Sequence, residues 1–597
     1  MKKKIQISLL LSSLLIVAYT GYEMKRLSDE ESLWGHFSLF FLLGSWGLIV
    51  SIISLLKRHF NHRYFLLSCI SGLLLSIGFP GLLPVPLFMF MGFVPLLMVE
   101  HFITGDGGQK SGRQFFWYAF NTFILYNILT TWWVANAALA PGIFANVVNS
   151  LLATIPLVLY HKISNKIPRL AGMAFVALFI TYEYNHFYWD LSWPWLALGN
   201  GFAEVPSWIQ WYEYTGIFGG SLWILVINFL IFRLWVTYSA TAKWNKKQLS
   251  IILSILVVPI IISMVMYSQI TDKGTKVEVA VVQPNYEPHY EKFKIPENIQ
   301  AKHYLKLAAS VVDENTDFLV LPETSFGYVE DRRMDSYPAI QQLYGLLAKY
   351  PKLKIVVGLS AYHLFREGEP RVGAVREQKM ANGKSRYLET YNYAVQLPLD
   401  NPPQAHKKSK LVPGAEIFPF KKILFVFKPL VDALGGTLEG NGTESTPAVL
   451  KSEKANIAPL ICYESVYGDY VANFVRHGAS LLFVMTNDGW WDDTPGHRQH
   501  LYFASLRSIE TRKSIARAAN SGISAFINQR GDILSQTKYN EAKAIKHTLY
   551  ANSEKTFYVK WGDLIARISL FLSIVLVLNL IVRAVVPADY FTEANAK

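Results

Sequence analysis

The sequence predicts a polytopic α-helical membrane domain joined to an α/β domain, and three observations carry the prediction. Half of the chain is apolar: 51% of its 597 residues are hydrophobic and 14% aromatic, a membrane-protein balance. Apolar stretches of spanning length recur, nine before residue 270 and a tenth near the C-terminal end. From about Lys276 the pattern changes to short apolar runs alternating with amphipathic segments, as in a layered α/β fold. The expected division is 1–270 for a multi-span domain of about nine helices, 271–560 for an α/β catalytic domain, and 561–597 for a last span and short tail.

Taken in order, the spans are expected near 5–20, 37–56, 64–80, 83–102, 115–136, 142–161, 170–188, 215–236, 249–268 and 564–586. Alternate loops carry the positive charge: Lys2 to Lys4; Lys57, Arg58 and Arg63; Lys110 and Arg113; Lys162, Lys166 and Arg169; Arg233, Lys243, Lys246 and Lys247. The other short loops hold only Lys25 and Arg26. By the positive-inside rule both termini are cytoplasmic and the large region after the ninth span lies outside. This topology accounts for much of the formal charge of +13, which would otherwise suggest nucleic acid or anionic lipid. The N-terminal Met1-Lys-Lys-Lys and its apolar run show no clear small-residue cleavage site and read as an uncleaved anchor. Between spans seven and eight, Trp193-Pro-Trp-Leu-Ala-Leu-Gly199 and Trp208-Ile-Gln-Trp211 suit either an interfacial aromatic belt or a wall of a lipid-access site.

In the α/β region Val277–Val282 reads as a strand leading into Gln283-Pro-Asn285, with a helix over 297–312. Phe318-Leu-Val-Leu-Pro-Glu323 is a strand ending in a carboxylate, and 338–349 a second helix. Ile355–Leu359, Ala394–Leu397, Ile457–Ile461 and Leu481–Met485 add strands; a helix near 497–512 and a hairpin through Asn528-Gln-Arg-Gly531 follow. Arg507, Glu510 and Asn520 read as a polar network supporting a loop. Residues 414–441, with Phe418-Pro-Phe420, Ile423-Leu-Phe-Val-Phe427, Leu430 and interspersed Lys421, Lys422 and Lys428, read as an apolar lid dipping into lipid, or else a buried insertion.

The chemistry concentrates at three places. Ile457-Ala-Pro-Leu-Ile-Cys-Tyr-Glu464 ends a buried strand in a thiol, a rigid mounting for a nucleophile; the alternative is that Cys462 is a small core hydrophobe. Glu323 is a carboxylate at another strand end. Lys407-Lys408-Ser-Lys410-Leu-Val-Pro413 supplies ammonium groups, with Glu416 three residues beyond. A carboxylate that takes a thiol proton, a thiolate that attacks a carbonyl and an ammonium that holds the oxyanion form a catalytic set. Cys69, within a span, reads as inert, and two cysteines imply no disulfide framework. No Walker loop, zinc-ligand spacing or dinucleotide fingerprint stands out, so no metal and no cofactor are expected.

The order Leu-Pro-Glu323, Lys408-x-x-Leu-Val-Pro, Cys462-Tyr-Glu resembles the Glu–Lys–Cys triad of the nitrilase, or carbon–nitrogen hydrolase, superfamily. With the spans, the chain from about Tyr64 onward is similar to the bacterial apolipoprotein N-acyltransferases. The resemblance implies a nitrilase-like α-β-β-α sandwich with Glu323 as base, Lys408 as oxyanion donor and Cys462 as nucleophile. Lys408 is preferred to Lys407 and Lys410 because it stands three residues before Leu-Val-Pro. Glu416, Tyr463 and Glu464 are implied as accessory groups, and Asn392 is read as a loop-positioning group. Phe293 falls where members can carry a tryptophan, and Leu-Val-Pro-Gly-Ala-Glu416 departs from their Leu-Val-Pro-Phe-Gly-Glu. The implied reaction moves an acyl chain from a phospholipid of the phosphatidylethanolamine type, through a cysteine thioester, to the amine of a lipoprotein's diacylglyceryl-cysteine. The implied setting is the bacterial inner membrane with the catalytic domain on the periplasmic side, and no nucleic-acid partner. Members commonly have eight spans; an extra pair at the N-terminus keeps the downstream orientation. The alternative is a membrane-anchored amidase or nitrilase-type hydrolase passing its acyl group to water. The intact triad and the scarcity of charges within the spans disfavour a binding or transport protein.

Overall fold

The computed structural model describes residues 2–56, 61–83, 85–105, 111–380, 383–420 and 440–586. Among the described residues nine helices of 12 or more residues lead: α1 (Lys2–Asp29), α2 (Phe37–Leu56), α3 (His62–Gly78), α4 (Val94–Gly105), α5 (Ser111–Thr131), α6 (Leu139–Lys166), α7 (Ala171–Asn185), α8 (Ile217–Thr241) and α9 (Lys246–Gln269). Each expected span overlaps one of them or α14 (Leu564–Val585). Seven helical stretches among the described residues are long and apolar enough to cross a membrane, not ten. The physical reason is local. α3 and α7 have only 17 and 15 residues, and α5 carries polar groups such as Asn121, Thr122, Asn127 and Thr130, which are buried inside the bundle. α8 is the most enclosed span, whereas α1 and α9 are apolar nearly all round and largely uncovered, as lipid-facing helices are.

The α/β part contains strands β1 (Thr275–Gln283), β2 (Phe318–Val320), β3 (Phe326–Glu330), β4 (Lys354–Leu364), β5 (Arg376–Lys379), β6 (Ser385–Leu397), β7 (Gln404–Lys407), β8 (Ile457–Ile461), β9 (Leu481–Thr486), β10 (Ile515–Ala519), β11 (Ala525–Ile527), β12 (Ile533–Gln536) and β13 (Lys543–Ala551). One sheet runs β13-β1-β2-β4-β6-β5, with β3 beside β4 and β7 beside β6; the other runs β12-β11-β10-β9-β8. Side-chain alternation builds the layers. Val277, Val279 and Val281 of β1 face the second sheet, meeting Ile461, Phe483, Met485 and Ala516 in a dry inter-sheet core. Ala280 and Val282 point the other way, onto α10 (Glu297–Ala308) and α11 (Pro338–Lys349). The second sheet's outer face packs on α12 (Gly468–Arg476) and α13 (Pro495–Thr511). The result is the expected α-β-β-α sandwich.

α13 couples the two parts. Nearly every one of its residues is buried, polar ones included, because it lies between the sheet and the helical bundle. Gln499 donates to Pro80 O (2.7 Å) and Thr130 O (3.1 Å), and accepts from Trp195 Nε1 (2.7 Å). Trp195 is therefore fully buried, against Trp133, Trp491 and Phe503, and is not part of an interfacial belt. The aromatic loop is an internal wall between bundle and sandwich.

Candidate active site

Glu323 stands just beyond β2, where the chain leaves the sheet. Leu321 N–H donates to Val356 O (2.8 Å) and Ser325 N–H to Gly358 O (2.7 Å), holding the turn on both sides of the carboxylate. Thr324 takes the left-handed conformation (φ +48°), and a Cβ on Gly358 would lie 2.4 Å from Pro322 O, so only glycine lets the turn sit down. The buried Glu323 Oε1 accepts from Lys408 Nζ (2.9 Å) and from Asn392 Nδ2 (2.8 Å). Lys408 follows β7, its N–H bonded to Asn392 O (2.8 Å), and its ammonium also donates to Glu416 Oε1 (2.8 Å). Burial opposes that charge, but Glu323 and then Glu416 overcome it and hold Lys408 protonated well above its ordinary range.

Glu416 is held in turn by Val412 N–H on Oε2 (2.9 Å). The Leu-Val-Pro-Gly-Ala departure from the family pattern is accommodated at Gly414, whose φ of +83° lets its N–H reach Ile417 O (2.8 Å). The turn still presents Glu416 to the lysine.

Cys462 follows the fully buried β8 and adopts φ +49° at the entry to a short 3-10 turn, Cys462–Val466. A sharp left-handed bend at a strand end is a strained posture that aims the thiol out of the sheet. Burial first, and the Glu323 carboxylate next, push the thiol up, against a smaller pull from Lys408. The resting sulfur is thus a thiol that needs a base. Behind it, Ser465 Oγ donates to Cys462 O (2.7 Å), and His500 Nε2 lies 3.2 Å from the same oxygen.

Glu464, fully buried, is the strut of this bend. It accepts from Ile461 N–H (2.9 Å), Ser409 N–H (2.7 Å) and Tyr470 OH (2.9 Å), and pairs with His406 Nε2 (3.1 Å). It ties the cysteine turn to the lysine loop. Tyr463 OH donates to Ser192 O (2.8 Å), bonding the cysteine turn to the aromatic loop. Asn392, expected to position a loop, donates directly to the Glu323 carboxylate. Phe293 lies at an exposed rim, its ring 6.3 Å from that of Trp490. Arg507 donates to Val466 O (2.8 Å) and pairs with Glu510, and Asn520 bridges Tyr286 O and Asn487, the supporting network expected of them. The lid segment from Lys421 through Ile423–Phe427 to Leu430 lies outside the described residues. Within them, Phe420 N–H bonds Asp190 Oδ2 (2.9 Å) beside Trp189.

Three groups were not singled out by sequence. Lys292, buried with its pKa pushed down to about 8 by burial, donates to Thr324 Oγ1 (3.0 Å) and lies 3.4 Å from Glu323 O. His406 sits between Glu464 and Glu444. Asp488, with His500 Nδ1 at 2.9 Å and an Arg517 ion pair, lies behind the cysteine. Ligand atoms of Cys462, Asp488 and His500 fall within 4.8 Å of one another. Arg517 already supplies Asp488 with positive charge, and Thr486 Oγ1 donates to it at 2.5 Å, so the donor set suits a proton network better than a cation.

Two family profiles match in succession: "Apolipoprotein N-acyltransferase N-terminal domain" over 71–230 and "Carbon-nitrogen hydrolase" over 278–555. A Chlorobaculum tepidum protein named apolipoprotein N-acyltransferase is 28% identical over 536 residues, 87% of this chain and 97% of the relative. One of the same name from Geobacter metallireducens is 27% identical over 528 residues, 84% and 92% of the two chains. Among solved structures, Nit3 of Saccharomyces cerevisiae, a nitrilase-superfamily member, matches with a TM-score of 0.32 at 14% identity, over 47% of this chain and 93% of its own. An amidase from Nesterenkonia sp. matches with a TM-score of 0.32 at 17% identity, over 48% and 95%.

Proposed function

This chain belongs with the apolipoprotein N-acyltransferases, and from that premise we propose that it acylates lipoprotein amines from phospholipid through a thioester on Cys462. The observation that carries the reading is the Lys408 ammonium held between Glu323 and Glu416 in a buried site that also holds the strand-end thiol. Glu323 takes the Sγ proton as the thiolate attacks the ester carbonyl carbon of the donor. Lys408 holds the tetrahedral oxyanion. Collapse breaks the ester C–O bond, Glu323 returns its proton to the glycerol oxygen, and lyso-phospholipid leaves a thioester. In the second half the amine of a diacylglyceryl-cysteine attacks the thioester, Glu323 accepts its proton, and the C–S bond breaks to restore the thiol. Asn392 steadies the carboxylate that shuttles these protons.

The chain is a multi-pass membrane protein. We place it in the bacterial inner membrane with the sandwich on the extracytoplasmic side, a reading supported by the alternation of basic loops. The domains are then 1–270, 271–560 and 561–597. Intact-mass spectrometry after incubation with phospholipid tests the reaction. It should find one acyl chain on Cys462, stable in water and discharged by a diacylated lipopeptide. Rapid hydrolysis indifferent to the lipopeptide would make the enzyme a hydrolase, and absence of the adduct would remove the thioester.

A further inference from the structure

Between the lysine loop and the extracytoplasmic end of α7 lies a pocket of about 160 Å³ that the chemistry above leaves unused. Lys410, half-buried on its wall, has its ammonium over the rings of Tyr467 (4.9 Å), Tyr188 (5.6 Å) and Tyr470 (5.7 Å). Asn473 and Arg476 complete the polar side. Asp469 is also there, but it is engaged by Arg476, whose Nε donates to Val559 O (2.8 Å) as well. Lys410 has no ion-pair partner among the described residues. Aromatic faces attract a cation without neutralising it. Burial, moreover, pushes the Lys410 ammonium down against the smaller pull of Glu464 and Asp469, and an anion entering the pocket would add to that pull.

The position of this cation narrows the class of anion. Tyr188 lies three residues past the end of α7. Lys410 is two residues from Lys408, a backbone separation of at most about 7 Å. The Tyr467 ring beneath it meets that of Tyr463, the residue after Cys462, edge-on at 5.2 Å. In a glycerophospholipid only the three-carbon glycerol separates a scissile ester from the phosphate, so a phosphate site of the donor belongs beside the cysteine turn and the lysine loop, where this pocket lies. We propose that this pocket is a phosphate subsite, in which Lys410 pairs with the phosphodiester of the acyl-donating phospholipid. It rests on the acyl-transfer reading for the source of the phosphate.

The test uses detergent-solubilised full-length protein and lipids that the thiol has no ester to attack. Dissociation constants of a diether phosphatidylglycerol and of the matching phosphate-free diether glycerol are read by tryptophan fluorescence. The native protein should prefer the phosphate-bearing lipid. Lys410→Met should lose at least about tenfold of that preference and Lys410→Arg should keep most of it, as expected of one charge-assisted contact. An unchanged preference in Lys410→Met, or an equal weakening of both lipids, would overturn the assignment. Inorganic phosphate displacing the ether lipid at low millimolar concentration would move the site to free phosphate and overturn the lipid source; no displacement there supports it. Failure to find the Cys462 thioester would remove the transfer chemistry, while the ether-lipid preference would still judge the pocket.

Discussion

At the scale of single residues, the site is one ammonium shared by two carboxylates beside a thiol that burial keeps protonated. Cys462→Ala should abolish adduct formation outright. Lys408→Ala removes the oxyanion's charged donor and should slow acyl-enzyme formation about a hundred- to a thousandfold in single-turnover assays. Lys407→Ala should stay within about twofold, because Lys407 rests on the Tyr391 ring, away from the carboxylates. Asn392→Ala, which strips one donor from Glu323, should fall between these limits. His406 gives a pH signature. Burial opposes its charge, yet Glu464 and Glu444 raise its pKa from 6.5 to about 9. A raised folded pKa means that its stabilisation is complete below about pH 6.5 and is lost as pH rises through 9. Stability against thermal unfolding should therefore fall over that window by on the order of 3 kcal/mol in wild type, and much less in His406→Gln.

At the scale of elements, the cysteine turn depends on Glu464, which joins β8, the lysine loop and α12 through four partners. Glu464→Leu would leave His406 and two backbone N–H groups short of an acceptor, a buried imbalance worth roughly 3–5 kcal/mol. Chemical denaturation of the detergent-solubilised protein checks the loss. A stability change below 1 kcal/mol would show that the turn is held by its backbone alone. α13 illustrates a second element-scale point. Its polar residues Gln499, His500, Arg507 and Glu510 are all buried and point into contacts, none into water.

At the scale of the whole molecule, the sandwich is riveted to the bundle by charged and polar bridges. Arg512 pairs with Glu213 (2.6 Å) and donates to Gln210 Oε1 (2.6 Å) and Gln210 O (3.0 Å), and Tyr267 OH donates to Asp532 (2.6 Å). Arg512→Ala leaves Glu213 short of its charge and should cost about 3–5 kcal/mol. Limited proteolysis should show the α9–β1 connection cut sooner. The orientation of the whole assembly is also testable. A membrane-impermeant amine label on intact spheroplasts should reach lysines of 275–556, and labelling confined to Lys2, Lys3 and Lys4 would reverse the topology.

Much of this molecule is legible in its sequence. Hydropathy placed the helices because lipid demands long apolar runs, and the change of pattern near Lys276 marked the start of an α/β domain, whose sandwich form only the family resemblance implied. Glu323, Lys408 and Cys462 were readable because each sits at a strand end or tight turn with its own local motif. Other features depended on which remote segments become neighbours. Asn392 reaches Glu323 because β4 lies between β2 and β6, and the pairing of β6 with β7, Tyr393 opposite Lys407, sets it beside Lys408 as well. His406 meets Glu464 only when the two sheets close on each other, and no spacing along the chain encodes that encounter. The same holds for Trp195, whose loop suited either an interfacial belt or a wall of a lipid-access site by sequence and which packing against α13 buries. Local sequence determined the parts that obey a period or a motif; only tertiary packing decided the partners, because a buried polar group takes whatever complement the fold brings within hydrogen-bond reach.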